Sequence, residues 1–73
     1  MNSAIIYEIQ RQNKDKERRL QAQLVNLNNK KKQKMILLEK NPDSKMLQTE
    51  IIALDRQIQN INIQIKKAKR MYL

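Results

Sequence analysis

The stretch LQTEIIALDRQIQNINIQIKKAKRMY, residues 47–72, decides the fold of this 73-residue chain. Its apolar residues recur at alternating steps of four and three, which is the heptad spacing of a helix that packs along one stripe. The repeat predicts a helix whose apolar face is covered, but it does not indicate by what. The residues of the stripe are Leu47, Ile51, Leu54, Ile58, Ile61, Ile65, Ala68 and Tyr72.

The composition favours an all-α fold. The chain has no glycine and one proline, whereas sheets with tight turns depend on glycine and long helices need none. A single domain of 73 residues also has a marginal core, because ordering each residue costs roughly 1.5 kcal/mol. Nearly all of its apolar surface must therefore be buried.

One turn is predicted, at residues 40–44. Asn41 precedes Pro42, which disfavours the helical conformation, so a first helix is expected over about residues 3–39. A second helix over about 43–72 begins either with Pro42 and Asp43 in its first turn or with Ser44 as its cap. The short connection favours a two-helix antiparallel hairpin, a coiled coil in one domain. The alternative is one long helix kinked at Pro42.

The first helix matches this stripe poorly. Folding about the turn pairs positions whose numbers add to roughly 84, which places Leu47 near Leu37 and Ile65 near Leu20. Lysine stems can cover apolar surface, so a loose monomeric hairpin is one alternative. The favoured interpretation is that another protein chain, identical or different, covers the rest. The unfavourable pairs are Ile51 with Gln33, Leu54 with Lys30, and Ala68 with Lys16.

The second helix supplies the predicted partner-binding residues, and the basic clusters orient the partner. The binding set is Leu47, Ile51, Leu54, Ile58, Ile61 and Ile65. The predicted basic patch is Lys30, Lys31, Lys32, Lys34, Lys66, Lys67, Lys69 and Arg70.

A net charge of +9 raises the odds of an acidic partner, although a solvated basic face is the simplest interpretation. A third basic run, residues 14–19, should meet residues 66–70 at the open end of the hairpin. Nucleic acid is a less favoured partner, because the only aromatic residues are Tyr7 and Tyr72 and no nucleic-acid motif is present. Membrane binding is disfavoured, since large aromatic anchors are missing.

No catalytic site, metal site or cofactor is predicted. Cysteine and histidine are absent, and the carboxylates are scattered beside basic residues. The start of the sequence has no basic region followed by an apolar run, and no stretch reaches the length of a membrane span. The sequence thus predicts a cytoplasmic, non-enzymatic protein without disulfides.

The segment Leu38-Glu39-Lys40-Asn41-Pro42, followed by Leu47 and Glu50, resembles the turn and second helix of small type III secretion proteins. Needle subunits of that system are helical hairpins with a similar turn, and their small hairpin chaperones share the proline-led second helix. Residues 57–61, with Thr49 before them, are similar to the chaperones. The resemblance implies packing roles for Leu47, Leu54 and Ile58. Needle subunits also carry aromatic residues near the start and in the second helix that this chain lacks.

The resemblance implies a non-enzymatic needle subunit or needle chaperone. Such chaperones bind one face of a helical-repeat co-chaperone and keep the needle subunit monomeric. The sequence therefore predicts a small subunit or chaperone of a larger assembly. The alternatives are a basic nucleic-acid- or ribosome-associated helical peptide and a self-contained homo-oligomeric coiled coil.

Overall fold

The structure of the protein is a computed structural model that describes residues 3–70. It consists of two helices, α1 (Ser3–Lys40) and α2 (Lys45–Arg70), which pack against each other in a rod of 62 × 14 × 14 Å. Residues 3–70 contain no strand. The predicted all-α helical hairpin is confirmed, and the alternative of a single kinked helix is wrong because the two helices lie side by side.

The turn begins where α1 ends, at Asn41. The backbone N–H of Asn41 donates to the carbonyl oxygens of Leu37 and Leu38, at 3.0 and 3.1 Å. The N–H of Ser44 then donates to the carbonyl of Asn41 at 3.1 Å, which closes a four-residue turn with Pro42 at its second position. None of residues 3–70 has a positive φ, the backbone conformation that favours glycine. A chain without glycine can therefore form this turn.

Ser44 caps α2. Its Oγ accepts a hydrogen bond from the N–H of Leu47 at 3.3 Å, and its carbonyl accepts the first helical bond from Gln48 at 3.2 Å. Of the two predicted starts the Ser44 cap is correct, so α2 begins at Lys45 rather than at residue 43. The first helix includes Lys40, one residue past its predicted end. Tyr72, the predicted end of the second helix, lies outside the described residues.

The apolar stripe of α2 faces α1. Leu47, Ile65 and Ala68 are buried, and the four stripe residues between Leu47 and Ile65 are half-buried. Ala68, expected to be poorly matched by Lys16, is the least exposed of the buried residues at 2%. The stripe is thus best covered near its two ends and less covered along its middle.

The first helix has a matching stripe that the sequence analysis did not identify. Apart from Glu8, its least exposed residues follow alternating steps of four and three, as those of α2 do. Four of these eight residues are polar or charged, which hides the repeat from a reading based on apolar residues. The eight residues are Asn13, Glu17, Leu20, Leu24, Leu27, Lys31, Lys34 and Leu38.

Candidate partner-binding surface of the hairpin

Ion pairs between described residues join the helices and fix their alignment. Lys31 Nζ lies 2.6 Å from Asp55 Oδ1, Lys34 pairs with Glu50, and Lys69 Nζ lies 3.7 Å from Glu17 Oε1. The residue numbers of the pairs add to 86, 84 and 86, close to the predicted value of roughly 84. Because Glu17 near the start of α1 meets Lys69 near the end of α2, the helices run antiparallel.

Charged groups therefore complete the stripe of α1 where apolar residues are missing. Lys31 and Lys34 occupy stripe positions, and each reaches a carboxylate on a flank of α2 rather than lying against apolar residues alone. All four side chains keep about a third or more of their surface exposed. Such pairs are worth about 0.2–1 kcal/mol each, so they align the helices more than they stabilise them.

The six predicted partner-binding residues all lie on the face of α2 that packs on α1. Leu47 and Ile65 are buried there, whereas Ile51, Leu54, Ile58 and Ile61 keep part of their surface exposed. The structure thus assigns them a role inside the hairpin. Their contact with another chain stays a prediction.

The most exposed large apolar side chains lie off this stripe. Eleven large apolar residues are at least 46% exposed, against four buried apolar residues among those described. These residues were not predicted to form a site, although the apolar clusters around Ile6 and Ile36 in the sequence indicate an apolar surface there. The eleven are Ile5, Ile6, Tyr7, Ile9, Val25, Met35, Ile36, Leu37, Met46, Ile52 and Ile63.

A groove of about 410 Å³ runs between the helices at mid-length. Leu27 and Ile61 supply its apolar surface, and side-chain amides surround them. Amides both donate and accept hydrogen bonds, so the groove offers a polar rim around a small apolar patch. The other lining residues are Gln23, Asn26, Lys30, Gln57, Asn60 and Gln64.

A basic collar surrounds the open end of the hairpin. The pair between Lys69 and Glu17 places residues 14–19 beside residues 66–70, as the sequence predicted. Eight exposed cations gather there with two carboxylates, Asp15 and Glu17. The cations of the basic collar are Lys14, Lys16, Arg18, Arg19, Lys66, Lys67, Lys69 and Arg70.

The predicted basic patch is divided between two places. Lys66, Lys67, Lys69 and Arg70 belong to the basic collar, and three of them lie in the last turn of α2, where cations complement the helix dipole. Lys30 and Lys32 are exposed near the middle of the rod, whereas Lys31 and Lys34 pair across the hairpin. A binding role for the patch stays a prediction.

Beyond the basic collar, α1 carries one more ion pair. Arg11 Nη2 donates a hydrogen bond of 2.6 Å to Glu8 Oε1, three residues earlier on the same helix. This hydrogen bond, aided by attraction to the carboxylate, raises the pKa of Arg11 above its ordinary value. The two charges of this segment therefore neutralise each other.

The structure gathers no metal-binding side chains in the part of the chain that it describes. No three aspartate or glutamate residues come together between residues 3 and 70. Neither α1 nor α2, over those residues, is long and apolar enough to cross a membrane. The non-enzymatic role and the cytoplasmic location stay predictions.

The chain matches no protein-family model, no curated protein and no solved structure. The resemblance to type III secretion proteins therefore stays a prediction based on the turn and the start of α2. A function for this chain must therefore be inferred from the surfaces of the hairpin.

Proposed function

We propose that the protein is a non-enzymatic helix-packing module, a small subunit or chaperone of a larger assembly. One observation carries the proposal: among residues 3–70, the hairpin buries four apolar residues and leaves eleven large ones at least 46% exposed. Contiguous exposed apolar surface on a small protein commonly marks an interaction site, and seven of the eleven residues fall in two short segments, residues 5–9 and 35–37.

The size of the core supports the same conclusion. Ordering each residue costs roughly 1.5 kcal/mol, and two helices cover each other on only one side. Ile51, Leu54, Ile58 and Ile61 stay half-buried even within the hairpin. One or two further helices laid along this side would complete their burial in a three- or four-helix bundle.

The hairpin form fits the resemblance to type III secretion proteins, whose needle subunits and needle chaperones are helical hairpins. We extend the proposal accordingly: the partner is a helical protein, and the chain works by binding it rather than by chemistry. The basic collar and the two exposed lysines of residues 30–34 supply attraction to acidic groups on that partner.

The proposal is tested by recovering the tagged protein from its native cells at physiological salt, with and without nuclease. We expect a protein partner in fixed stoichiometry that nuclease does not remove. The purified partner should raise the melting temperature of the hairpin, because it binds the folded form. A hairpin that recovers no stoichiometric protein and melts at the same temperature in every fraction would contradict the proposal.

A variant with Ile58→Asp and Ile61→Asp probes the half-buried stripe, and a variant with Ile52→Asp and Ile63→Asp probes the exposed outer face of α2 with the same charge change. Circular dichroism first establishes which variants remain helical. If the first variant unfolds, the milder pair Ile58→Ala and Ile61→Ala replaces it. Loss of the partner from the stripe variant alone supports the stripe as the contact.

The basic collar favours a second candidate function, binding to the phosphate backbone of nucleic acid. The eight cations of the basic collar outnumber its two carboxylates, and the excess positive charge can neutralise phosphates. This function predicts recovery of nucleic acid that nuclease removes.

A further inference from the structure

We propose that the start of α1 is a self-association site, at which two copies of the protein pack α1 against α1 in antiparallel orientation. The inference rests on the proposed function and names a second copy as one partner. Its site is the α1 overhang, residues 3–13, which projects past the described part of α2. Since Lys69 pairs with Glu17, Arg70 lies near the level of Lys16, and α1 continues for about 20 Å beyond it.

The overhang continues the face by which α1 packs on α2. Ile6, Ile9 and Asn13 are spaced by three and four residues, and Asn13 begins the stripe that leads through Glu17 to Leu20. Ile5 lies one turn before Ile9 on the same side. Over the overhang, however, this face is open, with Ile6 54% and Ile9 49% exposed. The helix–helix interface of the hairpin therefore continues into an apolar face that no helix among residues 3–70 covers.

The charge of the overhang favours a second copy as the partner over an acidic protein. Its charged residues are Glu8 and Arg11, which pair with each other, so residues 3–13 carry no net charge. The whole chain carries +9, and the basic collar follows immediately along α1. A second copy is repelled by most of this surface but not by the overhang. An acidic partner, in contrast, gains nothing from the charge of the overhang and is attracted to the basic collar.

The symmetric arrangement follows from the spacing. With the two overhangs antiparallel, Ile6 of each copy lies beside Ile9 of the other, so one patch binds itself across a two-fold axis. The basic collars then lie at opposite ends of the contact, about 20 Å apart along the axis at 1.5 Å per residue. This exceeds twice the Debye length at physiological salt, about 8 Å, so repulsion between the collars is largely screened.

The contact is short, so we expect weak association, with a dissociation constant on the order of 10–100 µM. Sedimentation equilibrium of the purified chain, at loading concentrations reaching several times that range, should show a monomer–dimer equilibrium. Raising sodium chloride from physiological to a few times higher should maintain or strengthen the dimer, because added salt screens the collars. Association driven by acidic groups or by bound polyanion would instead weaken.

The variant Ile6→Asp with Ile9→Asp should weaken the dimer by about 30-fold or more, since it places charges in the apolar contact. Its matched control is Ile52→Asp with Ile63→Asp: the wild-type isoleucines are 54% and 51% exposed, and the charge change is the same. The control should dimerise as the wild type does. A second test variant, Ile6→Ala with Ile9→Ala, removes apolar area while favouring the helix, so loss of dimer there cannot come from unfolding.

Three results would overturn the inference: a monomer at every concentration, a dimer that both overhang variants retain, or a dimer that dissociates as salt rises. A monomer leaves the proposed function intact, because a different protein can still cover the exposed surface. If the recovery experiment yields no stoichiometric protein partner, in contrast, the proposed function is contradicted, while a dimer measured with the purified chain still stands.

Discussion

Lys31 of α1 holds its Nζ atom 2.6 Å from Oδ1 of Asp55 in α2, although Lys31 occupies a position of the packing stripe that normally takes an apolar residue. A charged residue at such a position costs stability but restricts which helix alignments are acceptable. Together with the pair between Lys34 and Glu50, it favours this antiparallel alignment over others, because shifting one helix separates both lysines from their carboxylates.

The first prediction tests this pair by reversing its charges. Lys31→Glu places two carboxylates opposite each other and should lower the free energy of unfolding by about 1 kcal/mol. Adding Asp55→Lys restores an attractive pair and should recover most of that loss. Urea denaturation of the wild type, both single variants and the double variant gives the interaction energy, expected at about 1–2 kcal/mol because each single variant replaces an attraction by a repulsion. Strictly additive effects would show that the two side chains do not interact.

The second prediction concerns the cap of α2. Ser44→Ala removes the oxygen that accepts the Leu47 N–H, and it should lower the free energy of unfolding by about 1 kcal/mol. Ser44→Asp is the control, because aspartate also caps helices and its charge suits the positive end of the helix dipole. Thermal melts followed by circular dichroism compare the three proteins. Equal melting temperatures for the alanine and aspartate variants would argue against the cap.

The third prediction compares two isoleucines of the same helix. Ile65 is 5% exposed in the hairpin interface, so Ile65→Ala should cost about 2–4 kcal/mol through lost burial and a residual cavity. Ile63 lies on the outer face, and Ile63→Ala should change stability by at most about 0.5 kcal/mol. Denaturation midpoints measure both effects. Comparable losses in the free energy of unfolding for the two variants would mean that another helix covers Ile63.

The fourth prediction separates the basic collar from the net charge. Lys66→Glu with Lys67→Glu and Lys30→Glu with Lys32→Glu each lower the net charge from +9 to +5. If the collar binds nucleic acid, the collar variant should lose about 100-fold in affinity for a labelled duplex, and the mid-rod variant distinctly less. Fluorescence anisotropy over a range of salt concentrations measures the affinity and its salt slope. Equal losses would reduce the binding to an effect of overall charge.

The second helix and the turn could be predicted from sequence because their signals are local. The repeat from Leu47 to Ala68 is apolar at every step, and Asn41 with Pro42 ends a helix whatever surrounds it. The stripe of α1 could not be found in the same way, since Asn13, Lys31 and similar residues occupy half of it. Their role depends on which residues of α2 lie opposite.

The candidate sites follow the same division. The meeting of residues 14–19 with residues 66–70 depends only on the turn and the helix rise, so it was predicted correctly. The pairing of Lys31 and Lys34 with carboxylates was not predicted, because a run of lysines resembles a solvated basic patch until the flanks of α2 are placed beside it. The burial of Ala68 was missed because the predicted sum of 84 placed it beside Lys16, whereas the pair of Lys69 with Glu17 adds to 86.

The four-residue connection at residues 41–44 also sets the order in which the hairpin assembles. The pair of Lys34 and Glu50 closes a loop of 15 residues, whereas the pair of Glu17 and Lys69 closes one of 51 residues. Loop-closure entropy grows with the logarithm of loop length, so each pair formed brings the next within easy reach. The hairpin should zip from the turn to the open end and fold within microseconds to milliseconds, as chains dominated by local contacts do. Temperature-jump relaxation measures that rate, and a folding phase of seconds would contradict it.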